Sequence, residues 1–469
     1  MGGLDMSARL AIVVLLVGFD LAILDSTPVC ATNWSLERVA NSGGFTAIAV
    51  DGNRRPHIAY SVFGGGSAFT LSYAHRMIGG TWIVEGVDMD PDAGIELSIA
   101  VDPAGEPGIV YRRSEPSSAS LHYAKKVNGV WQIEFVDAGG VRGVSSIQYD
   151  AAGLAHVSYQ RSGGQRYAIR SGSAWLAEIV DPDVSIFGSR SSLALGADEM
   201  PHVVYFASNN QELRYATKTG SSWTIELVDS TDWSGEYCSM RLDQARNVHV
   251  AYYADFSDGV GQLKYAIRTG GAWRFEYVDV DGRVGEYASL ALDEDGKPHI
   301  SYKDASRDRV KYAFKRGSRW FVGPLDASSG YYTSIAIDSS DGVHVSYYPP
   351  LKYAFASLQC VPHPETWRFE ERLRGESLVV ADVELRPNPP IDDRARFVIS
   401  GVSAGAEIGL VIYDISGRQV AAISRPASTE GVLEWDLRDT SGQRLPAGRY
   451  LARARGGGVD DAVSFTLIR

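Results

Sequence analysis

The chain has 469 residues, 45% hydrophobic and 22% charged, which is ordinary globular material and long enough for more than one domain. Its formal net charge is −12 and no Lys/Arg block interrupts that balance, so the basic surface that a nucleic-acid partner or a polybasic membrane contact requires is missing.

At the N-terminus Arg9 precedes the apolar run Leu10–Phe19, a second short run ends at Leu24, and Val29 and Ala31 supply small residues around a cleavage point. The pattern predicts a signal peptide over residues 1–31, cut after Ala31, and a protein secreted or attached to the outer cell surface. An uncleaved anchor would need about 20 uninterrupted apolar residues, and Asp20 and Asp25 break the run. Thr27-Pro28-Val29 does not supply the small, apolar approach of a lipidated cysteine at Cys30. No transmembrane segment is expected after cleavage.

A repeat follows. Tyrosines at 60, 111, 159, 205, 252, 302 and 347 each close a short apolar run, at spacings of 51, 48, 46, 47, 50 and 45 residues. Each unit carries four strand-like runs in fixed order, seen clearly as Ser289–Asp293, Pro298–Tyr302, Val310–Ala313 and the run from Trp320. Asp and Gly residues punctuate the first junction, as at Asp51-Gly52 and Asp293–Gly296, which suits a tight hairpin. Four antiparallel strands per unit of this length predict an all-β, seven-bladed propeller, since a helical solenoid would need apolar spacing near 3.6.

The fourth strand repeats a Trp, a Glu three later and a Val five later: Trp82/Glu85/Val87, Trp131/Glu134/Val136, Trp175/Glu178/Val180, Trp223/Glu226/Val228, Trp273/Glu276/Val278 and, loosely, after Trp320. The seventh unit lacks a convincing fourth strand, and the same pattern stands ahead of the first unit as Trp34/Glu37/Val39. The segment at Trp34 is therefore expected to close the ring beside the strand at Lys352. Trp367 with Glu370 competes for that place but lacks the valine. The blades resemble sialidase-like and lectin-like propellers in shape only, for they lack the Asp-box of sialidase blades.

Six histidines, at 57, 156, 202, 249, 299 and 344, hold one place in the second strand, where unit two has Gly108. Copies spread around a ring cannot converge on one metal, so they read as scaffold, bonded to the aspartate ending strand one (Asp51, Asp150, Asp243, Asp293, Asp338). The acidic turns Asp88–Asp92 and Asp293–Gly296 read as solvated turns, and no metal or cofactor is expected. No nucleophile elbow, metalloprotease helix or phosphate loop is present.

The loops from strand four to the next strand one should reach the mouth of the central channel. They contain Glu96, Trp233, Glu236, Tyr237, Glu286, Tyr287, Tyr331 and Tyr332, a mixture of aromatic and carboxylate groups that suits holding a glycan or a peptide. Gly235-Glu236-Tyr237 recurs as Gly285-Glu286-Tyr287, which reads as repeated architecture more than as a catalytic pair. Arg113, Arg142, Arg190 and Arg283 lie in or near the same loops and leave a sialidase-type arginine cluster open. Cys238 and Cys360 read as buried free thiols, with a single bridge as the alternative.

The propeller is expected over 32–356 and a linker over 357–379, where Pro362 and Pro364 accumulate before Pro387, Pro389 and Pro390. Alternating runs at Ala395–Ser400, Ile408–Tyr413, Val432–Leu437, Tyr450–Ala454 and Val463–Ile468 predict a small β-sandwich over 380–469. Asn388-Pro389, Tyr413-Asp414 with Gly417-Arg418, Trp435-Asp436, Gly442 and Pro446–Tyr450 resemble the C-terminal sorting domain of type IX secretion. They are also similar to the Ig-like domain of the flagellar hook-capping protein. The resemblance implies secretion machinery as a partner and export across an outer membrane; a spacer sandwich is the alternative. The sequence favours a propeller that binds carbohydrate, peptide or surface polymer, with a polysaccharide hydrolase or lyase and a structural envelope or adhesion protein as alternatives.

Overall fold

The computed structural model describes residues 34–357, except 65–68, 115–117, 185–189, 232 and 256–260. Beyond them it describes 383–385, 395–399, 407–414, 419–426, 432–439, 442–446, 448–456 and 459–467. The expected signal peptide, Cys360, Trp367, Glu370 and most of the proline-rich segment lie outside the described residues. The chain divides into two compact units on either side of residue 369.

The first unit is a ring of seven antiparallel four-stranded sheets, blades 1–7 in chain order. The first strands, from Thr46–Val50 in blade 1 to Tyr331–Ile337 in blade 7, each touch the next, and the last touches the first. Blade 7 is completed by the N-terminal strand Ser35–Ala40, antiparallel to Leu351–Ser357 with Arg38 opposite Lys352, which is the closure expected from Trp34. This joins the ends of the repeat inside one sheet, although the fourth strand of every blade keeps a free edge.

The repeated residues are mostly the fastenings between blades. Each of the seven fourth-strand tryptophans packs edge-on against the third-strand tyrosine of the preceding blade, with ring centroids 5.1–5.6 Å apart, including Trp34 on Tyr312 and Trp82 on Tyr353. The indole Nε1 of Trp82, Trp131, Trp175, Trp273 and Trp320 donates to the preceding blade's glutamate at 2.7–3.3 Å. A cation from strand three, such as Arg76 on Glu37 or Lys315 on Glu276, pairs with the same carboxylate. The pattern lapses at Trp223, whose Nε1 is buried without a partner although Glu178 keeps Lys218, and where Gly323 stands in place of a glutamate and Trp34 keeps only its ring contact.

A second fastening lies deeper. The tyrosine that marks the repeat donates its hydroxyl to the aspartate ending strand four of the preceding blade, at 2.5–2.7 Å, for Tyr111, Tyr159, Tyr205, Tyr252, Tyr302 and Tyr347. Each of these aspartates also pairs with a cation: Asp88 with Arg113, Asp137 with Arg161, Asp181 with Arg214, Asp229 with Lys264, Asp279 with Lys311 and Asp326 with Lys352. Only Tyr60 departs from this scheme. Its aspartate is replaced by Ala40, the lysine that would balance it is replaced by Ser72, and the Ser72 hydroxyl is its hydrogen-bond neighbour.

The histidines behave as the sequence suggests, with one addition. Nε2 lies 3.0–3.4 Å from the strand-one aspartate in blades 1, 3, 5, 6 and 7, while Nδ1 meets a strand-three tyrosine hydroxyl at 2.5–2.7 Å in all six copies. An ionised carboxylate only accepts, so Nε2 carries the hydrogen and Nδ1 accepts from the tyrosine. Where blade 2 has Gly108, a Cβ would fall 1.8 Å from the Tyr149 hydroxyl. That phenol, with Lys125 on Asp102 at 2.6 Å, occupies the histidine's place. Cys238 is a buried free thiol, pushed up to about 12 by burial.

The second unit holds a three-stranded sheet (Val383–Leu385, Ala395–Ile399, Val432–Trp435) and a four-stranded one (Gln419–Pro426, Glu407–Asp414, Gly448–Gly456, Val459–Leu467), all antiparallel. The sequence runs missed Val383–Leu385 and Gln419–Pro426. Ile415–Arg418, Asn388-Pro389 and Ala447 lie outside the described residues. No helix among the described residues is long and apolar enough to cross a membrane.

Two predictions follow from these fastenings. Burial holds His156, His202, His249 and His344 below the ordinary value and His57 down to about 4. The unfolded chain therefore binds more protons below pH 6.5, and stability should fall from pH 7 toward pH 4, with His57 alone contributing roughly 1.4 kcal/mol per pH unit in that window. Thermal melts across this range check it, and a flat profile would contradict the buried neutral imidazoles. In the second, Ala40→Asp should cost about 1–3 kcal/mol as a buried carboxylate without a cation, and Ser72→Lys added to it should recover most of that loss. A double-mutant cycle in urea measures the coupling.

Candidate functional site at the channel mouth

The first strands enter the ring at one residue per blade, and these seven positions are Phe45, Glu96, Val144, Arg190, Tyr237, Tyr287 and Tyr332. Glu96, Tyr237, Tyr287 and Tyr332 share a left-handed backbone, with φ between 50° and 57°. The strand register breaks at the same points, so each is a bulge that re-aims a side chain. Two residues earlier, a Cβ on Gly94, Gly235 or Gly285 would come within about 3 Å of Leu71, Leu213 or Leu263 in the preceding blade, which fixes glycine there. The candidates assigned to loops are thus within the first strands themselves, held by bulges instead of by free connections.

Four of these entry residues form a continuous aromatic arc over blades 1, 7, 6 and 5. Phe45 lies 4.3 Å from Tyr332, Tyr332 lies 4.7 Å from Tyr287, and Tyr287 lies 4.6 Å from Tyr237, all between ring centroids. Burial raises the phenol pKa of Tyr237, Tyr287 and Tyr332, so they are neutral donors at pH 7. Tyr331 extends the arc beside Tyr287 at 5.8 Å and is 36% exposed, with the Lys303 ammonium 3.2 Å from its ring centroid. Arg190, in blade 4 beside the blade 5 end of the arc, donates from Nη1 to the Ala288 carbonyl of blade 6 at 3.1 Å.

The carboxylates flank the arc unequally. Glu286 is buried and pairs with Arg283 Nε at 2.7 Å, and that guanidinium also reaches the Tyr253 hydroxyl at 3.2 Å. Glu236 accepts from Trp233 Nε1 at 3.1 Å; burial first, then the charges of Asp255 and Glu286, hold its carboxyl above the ordinary range. Trp233 is 39% exposed and leans on Phe206 outside the arc. Glu96 is drawn away from the others by Arg112 at 2.7 Å.

The structure therefore brings together Tyr237, Tyr287, Tyr331, Tyr332, Glu236 and Glu286, leaving Trp233 at the edge and Glu96 in a separate ion pair. The four arginines have separate engagements: Arg113 holds Asp88, Arg283 holds Glu286, Arg190 donates to the Ala288 carbonyl, and Arg142 is exposed at the start of its strand. Phe45 escaped the sequence reading because it is not a tyrosine. Its place before Thr46-Ala47-Ile48, matching Tyr332 before Thr333-Ser334-Ile335, was the available signal. Tyr253 and Lys303 lie near the ends of second strands, where scaffold tyrosines hid them.

No family model matches the chain, and no curated protein matches it. It is similar to the solved structure of AofleA from Arthrobotrys oligospora at 11% identity, covering 64% of this chain and 91% of that one with a TM-score of 0.44. It is similar to the Aleuria aurantia lectin bound to alpha-methyl-L-fucoside at 13% identity, covering 61% and 96% with a TM-score of 0.42. PorZ of Porphyromonas gingivalis, a bacterial surface component of the type-IX secretion system, is 13% identical over 94% of this chain and 60% of its own, with a TM-score of 0.43. None of these lends this chain a residue role.

The Glu236 carboxyl should titrate above the ordinary glutamate value of 4.5, and Trp233→Phe should raise it further, because the indole hydrogen bond stabilises the carboxylate. Carbon-detected NMR of glutamate side chains, assigned with Glu236→Gln, reads both values. A fall on removing the indole would contradict the arrangement.

Proposed function

We propose that the protein is an exported propeller whose channel mouth holds a carbohydrate. The observation that carries this reading is the aromatic arc Phe45–Tyr332–Tyr287–Tyr237, with ring centroids 4.3–4.7 Å apart and carboxylates beside it. Sugars present apolar C–H faces edged by hydroxyls, so contiguous rings with neutral phenols match the faces, while Glu236 and the Arg283–Glu286 pair can exchange hydrogen bonds with the edges. The half-buried Glu236 carboxyl, held above the ordinary range, gives some support to a hydrolase or lyase at the same mouth. Glu286 is already paired with Arg283, which favours holding over turnover.

The flanking segments extend the proposal. Residues 1–31 would direct export and be removed, 32–356 form the propeller, 357–379 link, and 380–469 act as an Ig-like sorting or anchoring domain engaged by secretion machinery. The motif residues named above support that last assignment. The protein would then work secreted or attached to the outer cell surface.

A glycan array with the full mature chain should give hits, and Tyr287→Ala or Tyr332→Ala should weaken them about tenfold, or ~1.4 kcal/mol. Glu236→Gln should leave binding largely intact. Polysaccharide hydrolysis that disappears in Glu236→Gln would favour the enzyme, and an array without hits would remove the carbohydrate reading.

A further inference from the structure

At the far end of the channel from the aromatic arc, where the turns between strands one and two gather, lies a cavity of about 610 Å³. It is framed by first-strand residues of blades 1, 2, 3, 5, 6 and 7, among them Ile48, Ile99 and Ile335. At one level of the ring each blade contributes the residue paired across the sheet with the histidine position. These are Ala49, Ala100, Gln148, Ala194, Arg241, Ala291 and Ala336. Four of the five alanines, Ala49, Ala100, Ala291 and Ala336, line the space, and so do the two large exceptions, Gln148 and Arg241.

Arg241 donates from Nη1 to the Met240 carbonyl at 2.7 Å, and among the described residues it forms no ion pair. The second guanidinium of the channel, Arg190, likewise has no carboxylate partner among them, and its Nε is buried without a hydrogen bond. Burial and then the charge of Arg190 hold Arg241 down to about 10, still charged at neutral pH. Arg241 is half-buried in the wall of the cavity, and a guanidinium keeps its charge there, so without a carboxylate partner it can take an anion from the cavity. The acids of the rim do not pair with it. Asp243 and Asp293 are taken by turn amides and by His249 and His299, and Asp295 by Lys297 at 2.5 Å.

We propose that this cavity binds a small organic acid bearing one carboxylate or phosphate monoanion, the acid group seated on Arg241 and the neutral body among the alanines and isoleucines beside Gln148. The volume lies within the roughly 300–1,000 Å³ typical of small-molecule sites, well beyond what an inorganic ion fills. Asp243, Asp293, Glu294 and Asp295 also line the cavity and oppose anions, a doubly charged ligand more than a singly charged one.

The test is calorimetric titration and thermal melting of the full chain with monocarboxylates and monoanionic phosphate esters of graded size, their neutral amide and alcohol counterparts, and sodium sulfate as a salt control. At least one organic acid should raise Tm saturably while its neutral counterpart does not, and the carboxylate and phosphate arms show which acid group is used. Arg241→Gln should weaken that binding at least tenfold. Ala336→Leu, which keeps the arginine and fills the space, should do the same and decides the matter if Arg241→Gln fails to fold. A panel without a saturable response, or binding unchanged by cavity filling, overturns the site.

Discussion

Seven sheets around an axis have seven seams, and every one must hold, because opening any seam leaves two blades facing water with apolar flanks. The contact common to all seven is the fourth-strand indole set edge-on against the preceding blade's third-strand tyrosine. It survives even where the other fastenings lapse, at Gly323 and at Ala40. A ring–ring contact depends on shape and burial alone, so it tolerates the loss of a charge partner. The Glu–Trp–cation latch and the Asp–Tyr–cation knot need two or three residues at once.

That dependence explains why the exceptions come in groups. The N-terminal strand supplies the tryptophan and glutamate for the seventh blade, but ends in Ala40 where other blades have aspartate. Tyr60 then faces Ser72 instead of a lysine. Blade 2 loses its histidine and gains Lys125 and Tyr149 in the same space. At these two places buried polar groups are replaced as sets, since an orphan in a desolvated seam is costly, although Trp223 Nε1 stands as a single one.

Much of this was legible in the sequence. A tyrosine, a histidine and a Trp–Glu–Val run recurring at one period named the blade, its closure and the aspartate partner of the histidine. The partners across seams were not legible, because period reveals which residues repeat and not which neighbour each touches: Tyr302 meets Asp279 from the blade before it. The mouth was half legible for the same reason. Tyr237 and Tyr287 stood out as copies and bulges place them inside strands instead of loops, whereas Phe45, just ahead of its strand, closes the arc as a variant of the repeat.

Both ends of the channel are built from the residues that break the sevenfold pattern. A scaffold position wants the same side chain in each blade, since each sees the same surroundings. The entry level carries Phe45, Glu96, Val144, Arg190 and three tyrosines, and the level beneath carries five alanines with Gln148 and Arg241. Nothing in the packing of a symmetric ring requires that asymmetry. The ligands proposed for the two ends would account for it, because an asymmetric molecule presents different chemistry to each blade around the axis.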